Sequence, residues 1–133
     1  MLQQKEISKI LYRGLDAIDS NQPISISLLS HNGNPLITLT KDKESDDGNI
    51  NFKILSLLTF QIFNNNQSED QQDWNIINFK NHDIKSIIKK VENLEYFVIL
   101  FYEFDNDGFA KLKIDSVVNA LNEGFKGYKA DET

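Results

Sequence analysis

The chain has 133 residues, 40% apolar and 26% charged, a length and composition typical of one globular domain. Its net charge of −6 argues against nucleic acid or an anionic membrane surface as the main partner. The absence of cysteine excludes disulfides, thiolate zinc sites and thiol-linked lipids. Because the sequence shows no secretion signal, myristoylation glycine or long apolar run, we expect a soluble intracellular protein without direct membrane insertion.

A helix followed by a β-hairpin is predicted for the first forty residues. Apolar residues recur at helical spacing over residues 2–18. Residues 24–28 then alternate apolar and polar side chains, as a half-buried strand does, with its serines on the outward or small-residue face. Asn32-Gly33 predicts a tight turn into a second strand over 36–40. Pro35 cannot donate to a strand ladder, so this strand is expected at a sheet edge.

The next segment, residues 50–63, is apolar on every side if it is helical. Polar loops flank it at 41–49 and 64–73, and Asp46 or Asp47 is predicted as its N-cap.

One side of such a helix can be covered by the chain's own sheet, and covering the other side requires a second molecule. The pattern leaves open which flank faces a partner. We expect Leu55 and Phe60 to lie outward, so that a charge at either position breaks pairing before it unfolds the domain.

Three more strands and a helix complete the chain. The strands are predicted over 74–79, 84–91 and 94–102. The last of them is apolar on both faces, so it belongs in the centre of the sheet. Asp or Asn caps the final helix within 105–108, Gly124 and Gly127 mark its end, and 127–133 form a flexible tail. The order α-β-β-α-β-β-β-α predicts an α+β fold with a five-stranded, mostly antiparallel sheet and helices on both faces.

The sequence shows no recognisable set of catalytic residues, and we predict no enzyme activity, cofactor or metal. Residues 103–114 resemble part of an EF-hand loop, but the position of its bidentate glutamate is Ile114, which favours a helix-capping turn. His31 and His82 are expected to be polar turn residues.

Trp74 is either a core residue or an interface anchor. A basic strip is interpreted as a solvated strand face, with an acidic partner surface as the alternative; it comprises Lys80, Lys85, Lys89 and Lys90.

Several sequence segments resemble those of a known protein family. They are Met1-Leu2 at the head of the first helix, the strand-turn-strand of 28–37, Val91-Glu92-Asn93-Leu94 and the helix opening of 108–113. With the order of elements, they make the chain resemble the roadblock/dynein light chain superfamily over residues 1–126, as a single domain. The resemblance is greatest to roadblock subunits of the Ragulator complex, called EGO in yeasts.

The resemblance implies a sheet ordered 2-1-5-4-3, with the first and last helices on one face and the second helix on the other. It also implies pairing in a homodimer or heterodimer, where the second helix packs on its counterpart and the third strand joins its counterpart in one continuous sheet. The predicted interface residues are Ile50, Phe52, Ile54, Leu55, Leu58, Thr59, Ile62, Phe63, Trp74, Ile76, Ile77 and Phe79.

The function that the resemblance implies is that of a non-catalytic scaffold. Such a subunit pairs with another roadblock-fold subunit and helps hold Rag/Gtr GTPases at the vacuolar or lysosomal (late endosomal) membrane for amino-acid signalling to TOR. A lipidated partner subunit supplies the membrane anchor. The alternatives are a dynein-associated light chain and a small-GTPase regulator like some bacterial relatives. Arg13 is the only arginine and lies on the first helix, so no arginine finger stands out.

Overall fold

The computed structural model describes residues 4–16, 22–40, 51–65, 72–80, 83–92, 95–103 and 105–132, with side chains up to residue 124. The elements in these ranges follow the predicted order. They are α1 (Gln4–Arg13), β1 (Ser25–Leu29), β2 (Pro35–Thr40), α2 (Phe52–Asn65), β3 (Trp74–Phe79), β4 (Ile84–Val91), β5 (Tyr96–Tyr102) and α3 (Asp107–Glu132).

The five strands form one antiparallel sheet in the order β2-β1-β5-β4-β3. The α+β fold class, the strand order and the central place of β5 are therefore confirmed. From Phe97 to Tyr102 every side chain of β5 is buried, because both faces of the sheet are covered. Pro35 begins the edge strand β2, as its missing N–H predicts.

Two helices, α1 and α3, cover one face of the sheet. Alternate residues of β5 contribute Val98, Leu100 and Tyr102 to this larger core. The neighbouring strands contribute Ile26, Leu28, Ile87 and Val91. The helical layer, which includes the turn after α1, contributes Leu11, Leu15, Ala110, Ile114, Val117, Val118 and Leu121. This arrangement matches the helical spacing of apolar residues in both segments.

The opposite face of the sheet is covered by α2. The other alternate residues of β5, namely Phe97, Ile99 and Phe101, face this smaller core. Leu29, Ile84 and Ile88 join them from the neighbouring strands. The predicted division of two helices on one face and one on the other is thus confirmed.

The hairpin between β1 and β2 has the predicted Asn-Gly turn. Gly33 has φ of 90°, a conformation that glycine adopts without steric cost, and the Asn34 carbonyl accepts from the Ser30 N–H at 2.8 Å. A Cβ on Gly33 would lie 2.6 Å from the Phe60 ring, so α2 packs directly over the turn.

β1 is buried along its whole length, where the alternating pattern predicted a half-buried strand. The reason is its position between β2 and β5, with both faces covered. Ser25 and Ser27 are buried on the α2 face and are hydrogen-bonded. Ser25 donates to the Leu39 carbonyl at 3.0 Å, and the Ser27 and Thr38 hydroxyls lie 3.0 Å apart.

The helix ends differ from those predicted. α1 ends at Arg13, and the following Gly14 lies close against the side chains of Ile26 and Val117, where a Cβ would collide with both at 2.8 Å. Asn51, not Asp46 or Asp47, caps α2, and its Oδ1 accepts from two N–H groups of the first turn at 3.0 and 3.2 Å. The aspartates lie outside the described residues.

α3 also differs from the prediction at its C-terminal end. It continues through both predicted stop glycines to Glu132, so residues 127–132 are helical where a flexible tail was expected. Glycine disfavours a helix interior by about 1 kcal/mol relative to alanine, which does not by itself end a helix.

Candidate protein-interaction surface

The outward side of α2 presents four exposed apolar side chains. Their exposed fractions are 55% for Ile54, 46% for Leu57, 41% for Leu58 and 38% for Ile62. Spacings of three and four residues place them side by side, and we refer to them as the α2 stripe. Lys53 is the only charged residue of α2. A water-facing helix surface normally carries polar residues, so the exposed apolar α2 stripe is a candidate interaction surface.

The inward side of α2 packs on the sheet and holds Leu55 and Phe60. Both side chains are buried, and the Phe60 ring lies 5.2 Å from that of Phe97 in an edge-to-face contact. The expectation that these two positions face outward is therefore wrong. The helix is apolar on both sides, so hydrophobicity alone did not distinguish its inward side from its outward side.

The predicted interface residues of α2 divide between the two sides. Those in the α2 stripe are Ile54, Leu58 and Ile62. Three others are buried against the chain's own core, which corrects their placement at a free surface: Leu55, Thr59 and Phe63. Phe52 is half-buried, with its ring 5.1 Å from that of Phe101, and Ile50 lies outside the described residues.

Leu57 belongs to the stripe but was absent from the predicted interface. Its helical spacing from Ile54 placed it on the same side and was the signal that could have included it.

Hydroxyl groups connect α2 to the sheet beneath it. The Thr59 hydroxyl donates to the Leu55 carbonyl at 2.8 Å and lies 2.9 Å from the Ser86 hydroxyl of β4. Both side chains are buried, and Thr59 satisfies the Ser86 hydroxyl in addition to bonding the Leu55 carbonyl. This pair fixes the side of α2 that faces the sheet.

β3 is an edge strand beside α2, and its predicted interface side chains point to both faces of the sheet. Trp74 and Ile76 pack against the core under α1 and α3, whereas Phe79 packs against the core under α2. Ile77 is half-buried. These contacts are with the chain's own core, so what β3 can offer a partner is mainly its backbone.

The register of β3 identifies which backbone groups face away from the sheet. The Lys90 N–H donates to the Asp73 carbonyl at 2.9 Å, and antiparallel bonding alternates along the strand. Odd-numbered residues of β3 therefore bond to β4. The N–H and C=O groups of Trp74, Ile76 and Asn78 point to the free edge.

One of these edge groups already has a local partner. The Ile76 N–H donates to the side-chain Oδ1 of Asn75 at 2.9 Å. Asn75 therefore covers the middle of the free edge with its own side chain, and a pairing strand has to displace it.

The Trp74 side chain contacts the chain's own core, and part of it stays accessible. It is half-buried, packs against the larger core and carries the Lys111 ammonium 4.8 Å from its ring centroid. This cation–π contact connects α3 to the edge strand.

Two lysines of the predicted basic strip are engaged within the chain. Lys85 lies 3.1 Å from Asp107, and Lys89 lies 2.6 Å from Asp115, which also binds Lys111 at 2.7 Å. The interpretation of these two as a solvated face is wrong, because α3 lies over them. Lys80 remains exposed, and Lys90 is half-buried.

The ion pairs change the acidity of their carboxyl groups. Partial burial acts to raise the pKa of Asp107, but hydrogen bonds from Tyr102 and Lys85 and the Lys85 charge outweigh it and lower this pKa. The pKa of Asp115 is lowered in the same way by Lys111 and Lys89, against the effect of burial. Burial, with the hydrogen bond to Asp107 and its negative charge, raises the pKa of Tyr102.

The acidic turn before α3 serves as a helix cap, as predicted. Asn106 Oδ1 accepts from the Phe109 N–H at 2.9 Å.

The described ranges bring no three His, Cys, Asp or Glu side chains together as a metal centre requires. His31 is exposed in the hairpin turn, and His82 lies outside the described residues. Of the three helices in these ranges, none is both long and apolar enough to span a bilayer.

Comparisons with known proteins agree with this architecture. The family model described as Protein SLM4 matches residues 1–130. No curated protein matches the chain.

Solved structures share the fold at low sequence identity. The gliding protein MglB from Thermus thermophilus is 13% identical with a TM-score of 0.70, covering 90% of this chain and 87% of its own. MglC from Myxococcus xanthus is 13% identical with a TM-score of 0.67, covering 89% and 98%. A Roadblock/LC7 domain from Streptomyces avermitilis is 9% identical with a TM-score of 0.61, covering 90% and 93%. These likenesses establish the roadblock fold.

Proposed function

Because the chain belongs to the Protein SLM4 family, a roadblock-like family of the Ragulator/EGO type, we propose that it is a non-catalytic scaffold subunit of such a complex. In this proposal it pairs with another roadblock-fold subunit. The pair helps hold Rag/Gtr GTPases at the vacuolar or lysosomal membrane for amino-acid signalling to TOR. A lipidated subunit anchors the assembly to the membrane.

The observation that carries the proposal is the α2 stripe beside the free edge of β3. Burying a large aliphatic side chain contributes about 1.5–3 kcal/mol, and the four stripe residues are each roughly half exposed. Covering what remains exposed therefore contributes roughly 3–5 kcal/mol for each chain. Helix packing on the stripe supplies this burial, and β3 supplies the backbone groups that extend the sheet across the pair.

The residues proposed for the interface are those that the structure leaves accessible. They are Ile54, Leu57, Leu58 and Ile62 of the α2 stripe, with the edge backbone of Trp74, Ile76 and Asn78. Leu55, Thr59 and Phe63 support the stripe from beneath.

Light scattering after size-exclusion chromatography tests the pairing. We expect a mass near twice 15.3 kDa for the chain alone if it forms homodimers, or a stable 1:1 complex with a second roadblock-fold subunit. A monomer under both conditions at tens of micromolar would refute the interface. Co-expression with a Gtr GTPase pair tests the scaffold role separately, and the absence of co-purification would refute that role.

A charge in the stripe gives the sharper experiment. Leu58→Asp places a carboxylate in the interface, and we expect pairing to weaken by about 100-fold. Leu112→Asp is the matched control, because Leu112 is an exposed leucine on α3, on the opposite face of the sheet. Equal pairing by the two variants would contradict the assignment of the stripe.

A further inference from the structure

A surface groove lies between α1 and the edge strand β2, at the opposite edge of the sheet from β3. The groove is shallow and largely open to solvent, and its volume is about 820 Å³. The lining residues are Gln4, Lys5, Ser8, Lys9, Tyr12, Arg13 and Leu39. The groove thus has a basic rim and a floor that includes Ser8 and Leu39.

Three cationic side chains line the rim of the groove, although the protein as a whole is acidic. Lys5, Lys9 and Arg13 are four residues apart on α1, so they form one line with a spacing of about 6 Å. All three are exposed, although the whole chain carries a net charge of −6. The acidic residues described in this part of the chain, Glu6 and Asp16, do not line the groove.

The edge strand beside the rim is available for pairing in the described part of the chain. Edge strands are usually protected by charged side chains, proline or a covering segment. β2 has Pro35 at its first position and no charged residue from there to Thr40, and both Leu36 and Thr38 are exposed. The outer N–H and C=O groups of the strand after Pro35 therefore form a template for an added strand.

We propose that this groove binds an extended acidic segment of a partner protein, which adds to β2 as an outer strand. Alternate residues of a strand lie about 6.7 Å apart on one face, close to the 6 Å spacing of the rim cations. Carboxylates at every second position therefore meet Lys5, Lys9 and Arg13. The intervening side chains fall on the other face of the sheet beside Leu36, which favours apolar residues there. This surface is separate from the α2 stripe, so its test is independent of the proposed function.

A synthetic peptide of alternating residues provides the probe. The heptapeptide Glu-Val-Glu-Val-Glu-Val-Glu, acetylated and amidated, is titrated into the full ¹⁵N-labelled chain while backbone amide shifts are followed by NMR. We expect saturable shifts in α1 and in residues 36–40 of β2. The peptide with lysine in place of glutamate should cause none, because it repels the rim.

Paired charge reversals identify the contacts. We expect Lys5→Glu/Lys9→Glu to weaken peptide binding by about tenfold. The matched control Lys53→Glu/Lys80→Glu changes net charge equally at exposed lysines away from the groove, and its affinity should stay within twofold of the original. Circular dichroism establishes that both variants are folded.

Several results would overturn the proposal. They are the absence of saturable shifts at millimolar peptide, shifts at β3 instead of β2, and equal binding by both double variants. Phosphatidylserine vesicles are tested in parallel. Vesicle binding that depends on Lys5 and Lys9, without peptide binding, would assign the rim to a membrane surface and also overturn the proposal.

Discussion

The two faces of the sheet are covered differently. On one face α1 and α3 cover the sheet together and also contact each other, with the Lys113 ammonium donating to the Arg13 carbonyl at 3.2 Å. On the other face α2 is the one helix described, and it turns four large apolar side chains to its outer side. A face with two helices shares its apolar surface between them, whereas a single helix that is apolar all round keeps an uncovered side. The difference is the reason for proposing the α2 stripe as the partner surface.

The polar contacts follow the same division. Ion pairs join α3 to the sheet through Lys85 and Lys89 of β4. The described polar side-chain contact between α2 and the sheet is the uncharged Thr59–Ser86 pair. One face therefore depends partly on charge and pH, and the other depends on packing.

The largest expected effect comes from a charge on the inward side of α2. Leu55→Asp buries a carboxylate without a partner and should lower the free energy of unfolding by about 4 kcal/mol. Leu58→Asp on the outward side should cost the isolated chain less than about 1 kcal/mol. Urea unfolding of the two variants measures the contrast. Similar losses at both positions would show that the two sides of α2 are not distinct.

Two glycines allow the faces to be compared at points of close contact. Gly33→Ala under α2 combines a positive φ with a collision against the Phe60 ring, and we expect a loss of about 2–3 kcal/mol. Gly14→Ala under α1 meets the Ile26 and Val117 side chains at 2.8 Å and the Leu11 carbonyl oxygen at 3.1 Å, but has no positive φ, and should cost about 1–2 kcal/mol. Thermal and urea unfolding measure both, and the reverse order would contradict the tight contact at the hairpin.

The buried hydroxyl pair should have a smaller effect. Thr59→Val keeps the shape of the side chain but leaves the Ser86 hydroxyl without this partner, which should cost about 1–2 kcal/mol. Adding Ser86→Ala removes the orphaned group and should restore part of the loss. A double-mutant cycle by urea unfolding measures this coupling, and strictly additive effects would refute it.

The smallest effect is expected from the ion pairs under α3. Asp115→Asn should cost about 0.5–1 kcal/mol at neutral pH. Because folding lowers the pKa of Asp115, its contribution is complete above the unfolded pKa of about 4 and is lost as the pH falls through the lower folded value. The two proteins should therefore converge in stability below pH 4. A difference that grew with acidity would contradict the sign of the shift.

Most of the sheet could be predicted from local pattern. The bounds of β3 and β4 agree with the sequence prediction to the residue, because short runs rich in isoleucine and aromatic residues end at clear turn signals. The two apolar faces of β5 likewise predicted its central place. The resemblance to the roadblock superfamily added the strand order, which periodicity alone does not determine.

Features that depend on tertiary contacts could not be predicted in this way. α1 ends where Gly14 packs closely against Ile26 and Val117, which are distant in sequence. Leu55 and Leu58 have the same side chain three residues apart in an apolar helix, so no local rule distinguishes the buried one from the exposed one. Lys85 and Lys89 lie on the same face of β4, and their spacing fits a solvated strand face. In the fold α3 covers that face, and its residues Asp107 and Asp115 form ion pairs with the two lysines.

In the proposed pair, the Asn75 side chain would affect how fast and how selectively a second strand joins β3. A strand that joins β3 exchanges an existing hydrogen bond at Ile76 for a new one, so this position adds little net affinity. The exchange also adds a step, because the Asn75 side chain must leave the Ile76 N–H before an incoming strand can pair along the whole of β3. In the proposed pair, discrimination between partners would then depend mainly on the shape of the helix that packs on α2, and strand pairing at β3 would follow that helix contact.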